Sequence, residues 1–426
     1  MQKVLIITYY WPPAGGPGVQ RWLKFVKYFR YFDIEPIVYI PENPTYPMTD
    51  TTFVKDVPED ITIIKGAIFE PYAFANVFSK NKTKTISSGI ISTKKQSVTE
   101  KVLLWIRGNL FIPDARKFWV KPSVTYLSEY IKENHIETIV TTGPPHSVHL
   151  IGMQLKEKIG VKWLADFRDP WTSIGYHSKL KLTKKSQRKH KELESKVLNN
   201  ASAISVTSFT TKDEFSKLTN TPIAVITNGY DNEKVKNNKL NNNFTLSHIG
   251  SLLSGRNPKV LWSILKELCD TIDSFKNDLE ITLAGKVSEE IIDSITKFGL
   301  TDNVVLKGYL SHEDALILQR ESQVLLLLEI NSEETKGIIP GKLFEYIISK
   351  RPILAIGPEE WDAARIISNT KTGNTFNYSE EQKIKETILA YYNLYKKNEL
   401  FVTSTNVEVY SRKNLTQHMA SLLKSL

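Results

Sequence analysis

With one cysteine in 426 residues, Cys269, the chain cannot close a disulfide on itself. That excludes a disulfide-stapled scaffold and fits a reducing compartment. The cysteine falls inside the helical pattern VLWSILKELCDTI, the setting of a buried, inert thiol. No stretch approaches the roughly 18 apolar residues of a membrane-spanning helix. The opening run MQKVLIITYYWPP is too short for a signal peptide and stops at a proline pair. A cytoplasmic protein is expected, with room for peripheral attachment to the inner face of the plasma membrane. There is no Cys/His cluster for zinc, no Gly-x-Ser-x-Gly elbow, no Walker loop and no Asp-x-Asp pair for a divalent metal. No cofactor and no metal ligands are therefore expected. No nucleic-acid-binding motif is present either, so DNA and RNA are not expected partners.

What is present is an ordinary globular composition, 41% hydrophobic and 24% charged, on a chain long enough for two α/β domains. The net charge of +10 is unevenly spread: Lys179–Lys196 holds eight Lys or Arg against two Glu, and a second basic stretch runs through Lys80–Lys101. Solvated helix surface and contact with anionic lipid both account for this pattern.

Short apolar runs alternate with helical patterns, the signature of parallel sheets built from βαβ units. VLIITYY, EPIVYIP, TIVTTG, VKWLADF and AISVTS read as strands of the first half; FTLSHIG, LEITLAG, NVVLKGY, QVLLLLEI and PILAIG read as strands of the second. Between them ITNGYD supplies a turn, and the Asn-rich DNEKVKNNKLNNN has a linker composition. The expected organisation is an α/β fold of two Rossmann-like domains facing each other across a cleft. Their bounds are 1–230 and 244–404, joined by a linker at 231–243. An amphipathic C-terminal helix within 405–426 packs back on the first domain.

Several segments carry chemistry. The first strand runs into WPPAGGPGVQRW, where Gly15, Gly16 and Gly18 allow close backbone approach to a ligand at a helix N-terminus. A dinucleotide fingerprint would need a third glycine where Arg21 stands, so nicotinamide binding is disfavoured. A sugar or acceptor loop and a purely structural turn remain. In SHIGSLLSGRNP, Gly250 opens a tight turn and Arg256 reaches back over it with a fork of donors suited to phosphate. In IIPGKLFEYIISKRPILAIG, a Pro-Gly turn puts Lys342 in the first turn of a helix, beside Gly341, with Glu345 one turn in. A cation there opposes the helix dipole unless something negative binds, and a carboxylate beside an anion site suits ribose or sugar hydroxyls. TTGPPHSVH and ADFRDPW end two strands of the first domain, at the edge where ligands of such sheets bind. His146 is held by a proline pair for contact with a sugar, while His149 packs in the helix. Asp169 accepts from an acceptor hydroxyl or caps the turn at Pro170. Finally, Leu103–Val120 interleaves Trp105, Phe111, Phe118 and Trp119 with Arg107, Arg116 and Lys117. That mixture suits a membrane interface or a lipid-linked acceptor, and equally a core with snorkelling arginines.

Taken together, the chain resembles the family-four retaining glycosyltransferases, of the two-Rossmann GT-B fold, over essentially its whole length. YYWPPAGGPGVQR resembles the family's N-terminal Gly-rich loop, and ITNGYD the Asn-Gly segment before its second domain. HIGSLLSGRNP resembles its phosphate loop, KLFEYIISKRPILA the end of its donor-binding acidic signature, and SRKNLTQHMASLL its returning helix. Two positions depart. Ser251 stands where the family's first cation falls, leaving Arg256 as the second. Gly337 stands where the first signature glutamate falls, with Glu333 and Glu334 upstream.

The resemblance implies a metal-independent retaining hexosyltransferase that passes a sugar from a nucleotide-diphosphate donor to a hydroxyl. The acceptor would be a glycan or lipid-linked glycan of a bacterial surface polysaccharide. Gly15, Gly16, Gly250, Ser251, Arg256, Gly341, Lys342 and Glu345 would bind the donor. Arg256 and Lys342 would stabilise the leaving diphosphate, with His146 on the sugar and Asp169 on the acceptor. Trp105, Arg107, Arg116, Lys117 and Trp119 would face the acceptor or an anionic membrane. A nucleotide-sugar epimerase of the same fold, or a non-catalytic member that binds membranes or partners, are the alternatives.

Overall fold

The computed structural model describes residues 1–70, 98–175, 177–231 and 239–426. The chain forms two compact units, Met1–Asn228 with Arg412–Leu426, and Gly229–Ser411. Most of the basic stretch Lys80–Lys101 and residues 232–238 of the expected linker lie outside the described residues.

The first unit is a parallel sheet wrapped by helices. Its elements are β1 (Gln2–Thr8), α1 (Pro17–Phe29), β2 (Ile34–Glu42), β3 (Thr62–Ala67), α2 (Val98–Leu110), α3 (Val120–Glu133) and β4 (Thr138–Gly143). They continue with α4 (Ser147–Ile159), β5 (Lys162–Phe167), α5 (Lys184–Asn200), β6 (Ala203–Val206), α6 (Phe209–Phe215) and β7 (Ile223–Val225). The strand order is β3-β2-β1-β4-β5-β6-β7. Chain direction along the sheet reverses between β1 and β4, so the crevice beyond their carboxyl ends is the ligand position such sheets favour. β1 leads there into Tyr9–Gly18, and β4 into Pro144–His146.

The second unit contains β8 (Phe244–Ile249), α7 (Lys259–Thr271), α8 (Asp273–Asp278), β9 (Leu279–Ala284), α9 (Glu289–Lys297), β10 (Val304–Gly308) and α10 (His312–Glu321). It is completed by β11 (Val324–Leu328), α11 (Lys342–Ile348), β12 (Ile353–Gly357), α12 (Asp362–Thr370), β13 (Gly373–Asn377) and α13 (Glu381–Lys396). The order β10-β9-β8-β11-β12-β13 reverses between β8 and β11. Their carboxyl ends are Gly250 and Glu329, which makes this the second unit's switch point. Cys269 is buried on α7, and burial pushes its thiol pKa up.

The last helix, α14 (Arg412–Lys424), belongs to the first unit. Its Leu415, Met419 and Leu423 join Trp22, Phe25 and Phe29 of α1 in one core cluster. The segment 405–411 groups with the second unit. All ten strands expected from apolar runs form. The three that were not anticipated, β3, β7 and β13, are all sheet edges. None of these three is buried along its length, so each lacks the continuous apolar run that marks a strand covered on both faces. No helix among the described residues is long and apolar enough to cross a membrane.

Candidate functional site

The second unit's switch point is built on close backbone packing. Gly250 has φ +115° and Gly285 φ +108°, values that L side chains rarely adopt. A Cβ on Gly285 would also lie 2.7 Å from the Gly250 carbonyl carbon. Gly250 N donates to Ala284 O at 2.8 Å, and Gly285 N to Gly308 O at 2.6 Å. The end of β9 is thereby drawn against β8, and the end of β10 against β9.

Against this floor α11 presents Lys342. Its Nζ lies 2.9 Å from His248 Nε2, and a Cβ on Gly250 would be 3.4 Å from the same nitrogen. Tyr346, one turn further, accepts a hydrogen bond from Ile249 N at 3.0 Å, which fixes α11 to the end of β8. Burial, then the charge of Arg256, pushes the Lys342 pKa down to about 7 despite Glu329 and Glu345. Burial and the lysine hold His248 well below its ordinary value, so the imidazole is neutral. The ammonium donates to it.

Arg256 behaves differently from the expectation of a free phosphate fork. Its Nε and Nη2 donate to the two oxygens of Glu329 at 2.8 and 3.0 Å. Glu329 is buried and also accepts from Ile330 N at 2.9 Å. A carboxylate at the end of an apolar strand needs a partner when desolvated, and Arg256 supplies it. The pair leaves Nη1 outside the fork. Glu329 escaped notice in the sequence, although an acid closing the run VLLLLEI was its signal.

Glu345 accepts from Gln319 Nε2 at 2.8 Å, and His312 Nδ1 approaches its other oxygen at 3.9 Å. Both partners are on α10, so that helix orients the carboxylate. Gly341 and Ser251 are exposed. A Cβ on Gly341 would meet nothing within 4 Å, so space does not require glycine there. Of the upstream glutamates near Gly337, Glu333 pairs with Lys336 at 2.9 Å on the surface.

In the first unit, the Gly-rich loop lies along 48–50. Gly15 N donates to Met48 O at 3.0 Å and Asp50 N to Pro13 O at 2.8 Å; Gly16 has φ +102°. A Cβ on Gly18 would collide with Arg168 Nη1. Arg168 itself donates to Gly143 O at 3.1 Å and to Pro144 O, and its guanidinium lies 5.6 Å over the Tyr10 ring. The residue that breaks the dinucleotide fingerprint has a structural task. Buried Arg21 pairs with buried Asp166 at 2.8 Å and donates to Thr227 O at 2.9 Å. Trp22, Thr142 and Ser205 also donate to Asp166, at 2.7, 2.8 and 2.7 Å.

His146 is buried and stacks on Trp171, with ring centroids 4.8 Å apart and a 3° interplanar angle. Neither ring nitrogen has a partner among the described residues, and burial, then His149 and Arg168, keeps the ring neutral. His149 packs in α4 as expected, on Phe167 and bonded to Thr141 Oγ1 at 2.9 Å. Asp169 is exposed.

The expected acceptor or membrane face divides. Arg116 is buried, paired with Glu70 at 3.3 Å and lying 4.8 Å over the Tyr9 ring. Trp119 is buried against Tyr39, centroids 5.2 Å apart. Both are core residues and not surface contacts, because a neighbouring carboxylate and ring let a guanidinium and an indole be desolvated. Trp105 is exposed, Arg107 is half-buried, and Lys117 caps Leu110 O at 2.7 Å. Among the described residues, no group of three or more His, Cys, Asp or Glu is placed to hold a metal ion.

No protein-family model matches the sequence, and no curated protein matches it. Solved structures do match, over nearly the full length of both chains. HepE of Anabaena, crystallised with UDP, aligns with TM-score 0.57 and 13% identity over 99% of this chain and 95% of that one. WaaB, a lipopolysaccharide outer core galactosyltransferase, aligns with TM-score 0.58 and 12% identity over 100% of both chains. A TarM variant of S. aureus, in complex with fondaparinux, α-GlcNAc-glycerol and UDP, gives TM-score 0.56 and 12% identity over 99% and 100%. The fold of this chain is therefore the two-unit α/β architecture of GT-B proteins.

Proposed function

We propose that this protein is a glycosyltransferase that moves a hexose from a nucleoside-diphosphate sugar to a hydroxyl, with retention at the anomeric carbon. One observation carries the reading. At the β8/β11 switch point, Lys342 is held against a neutral imidazole and crowded by Arg256, one helical turn before Glu345. Two cations brought together in a partly buried place repel each other, and a diphosphate relieves that repulsion while accepting from both. The carboxylate oriented by Gln319 is then one turn away for the ribose hydroxyls. Gly250 and Gly285 let the phosphates approach the backbone.

In the reaction, the bond between the anomeric carbon and the β-phosphate oxygen breaks. The acceptor hydroxyl bonds to the same face of that carbon and passes its proton to the departing phosphate oxygen. Lys342 and Arg256 stabilise the charge that develops there, and Glu329 fixes the direction of Arg256. No protein nucleophile and no metal ion are required. In the first unit, the Gly15–Gly16 loop and His146 are assigned to the transferred sugar, and Asp169 to the acceptor. UDP is the first donor nucleotide to test, because HepE and TarM were crystallised with it. WaaB is a lipopolysaccharide outer core galactosyltransferase, which supports a lipid-linked glycan as acceptor here.

The test is a thermal-shift panel of nucleoside diphosphates and their sugars. The correct donor raises the melting temperature in step with ln(1 + [L]/Kd), and the shift vanishes in Arg256→Ala and Glu345→Ala. Transfer should survive chelation of divalent ions, and NMR of the product should show the donor's anomeric configuration. No shift with any sugar nucleotide would end the proposal. A UDP-N-acetylglucosamine 2-epimerase assignment attaches to one fold neighbour, with TM-score 0.54 and 10% identity. Conversion of the donor without any acceptor would favour that reaction instead.

A further inference from the structure

We infer that the outward face of α2, together with the first turns of α5, docks on an anionic lipid bilayer. This goes beyond the transferase reading and does not depend on it.

The helix α2 carries apolar residues on its outward arc as well as its inward one. Leu104 and Gly108, four residues apart, face the body of the unit; a Cβ on Gly108 would lie 2.6 Å from Leu182 Cδ2 and 2.8 Å from Leu180 O. The opposite arc carries Val102, Leu103, Trp105 and Leu110, which are 51%, 40%, 42% and 55% exposed. A surface helix normally turns its apolar stripe inward and its polar residues out. Phe118 extends the patch: its ring meets Phe69 and Phe111 edge-on at 5.7 and 6.3 Å, with Lys117 Nζ 5.3 Å over it. No described residue covers this face.

Charge identifies the occupant. Asn109 of α2 accepts from Thr183 N at 2.8 Å and donates to Lys181 O at 3.2 Å, so the start of α5 is anchored beside the patch. There Lys184, Lys185, Arg188, Lys189 and Lys191 are all exposed, and Glu192 is the one exposed acid among them. The first turn of α5 has no acidic residue, so its cations oppose the helix dipole without local relief. An apolar wedge with Trp beside a cluster of cations is the pattern of interfacial membrane binding. A protein interface would instead be depleted of lysine, and a nucleic acid would leave the aliphatic wedge without a role.

The full chain is sedimented with phosphatidylcholine vesicles, with and without phosphatidylglycerol, at low and high salt. Binding should require the anionic lipid and weaken as salt screens the cations. Lys184→Glu, Lys185→Glu and Arg188→Glu combined should weaken it roughly a hundredfold, about fivefold or more per cation. Leu103→Ser with Leu110→Ser should lower the binding that remains at high salt. Circular dichroism and melting temperature confirm that both variants fold. Equal partition onto neutral vesicles, or partition unchanged by charge reversal, would overturn the inference. So would a dimer in sizing runs that Leu103→Ser with Leu110→Ser converts to monomer, because a second copy would then own the face. No donor or acceptor enters these assays, so their failure is distinct from failure of the transferase reading.

Discussion

If Lys342 is the phosphate cation, binding of a nucleoside diphosphate must be coupled to proton uptake. In the free protein its pKa lies near 7, lowered by burial and then by Arg256. A bound diphosphate replaces the missing counter-charge and returns the lysine toward its ordinary range. At pH 8 a group of pKa near 7 is about one-tenth protonated, so binding should take up about 0.9 proton, falling to about 0.1 at pH 6. Between pH 7.5 and 9 the dissociation constant should then rise about 20- to 25-fold. The phosphate's own second ionisation, near pH 6, lies below that window. Calorimetry of UDP binding in buffers of different ionisation enthalpy reads the protons directly. In Lys342→Met the uptake should disappear and the pH profile flatten, with affinity at pH 6.5 reduced about 10- to 150-fold. The unliganded protein should respond with the opposite sign. A depressed lysine pKa means that the unfolded chain binds more protons between about pH 7 and 10.5, so this residue's penalty on folding is full below pH 7 and fades as pH rises. The full shift corresponds to about 5 kcal/mol, and partial solvent screening reduces that to about 1–2 kcal/mol. Lys342→Met should therefore be the more stable protein at pH 6.5 and show no advantage near pH 10, by urea denaturation. Binding with no proton uptake at pH 8, and a pH profile shared with the methionine variant, would refute the assignment.

Other consequences are checked by simpler measurements. Glu329→Gln leaves Arg256 without its bidentate partner; stability in urea should fall by about 1–3 kcal/mol, and UDP affinity with it. An unchanged affinity would mean that the direction of Arg256 is irrelevant. Asp166→Asn strands the buried Arg21 guanidinium and should cost about 3–5 kcal/mol in guanidinium denaturation. The Arg21 charge and four donors hold the Asp166 carboxyl below its ordinary pKa although burial alone would raise it, so this contribution is lost in acid, as pH falls through that lowered value. Tyr309 is 94% exposed and directly follows Gly308, whose carbonyl accepts from Gly285 N beside the close-packed Gly250. If it stacks on the nucleobase, Tyr309→Ala should weaken UDP about 5- to 150-fold and leave inorganic pyrophosphate unaffected; equal losses for both ligands would exclude stacking.

How far the sequence could be read depended on whether a residue's role was local. Gly250, Lys342 and Glu345 act through a turn and one helical turn, and their spacing alone placed a cation and a carboxylate on one helix. Arg256 and Glu329 are 73 residues apart and meet only because β8 and β11 are neighbours at the switch point. The arginine was visible as a cation after a glycine turn, but its partner was hidden as the last residue of a strand. Arg21 with Asp166, and Arg116 with Glu70, share that character. Each is a buried ion pair whose two halves, viewed singly, look like a surface charge or a helix-mouth cation. This explains why Arg116 and Trp119 were expected on a surface. Interleaved aromatic and basic residues are what both a membrane face and a desolvated cation–ring packing require, and only burial separates the two. The same ambiguity was settled the other way at Trp105, where Leu104 and Gly108 occupy the inward arc and force the indole out. A charge next to an aromatic in sequence is therefore weak evidence of exposure. The stronger signal is whether the opposite arc of the same helix already supplies residues small or apolar enough to pack.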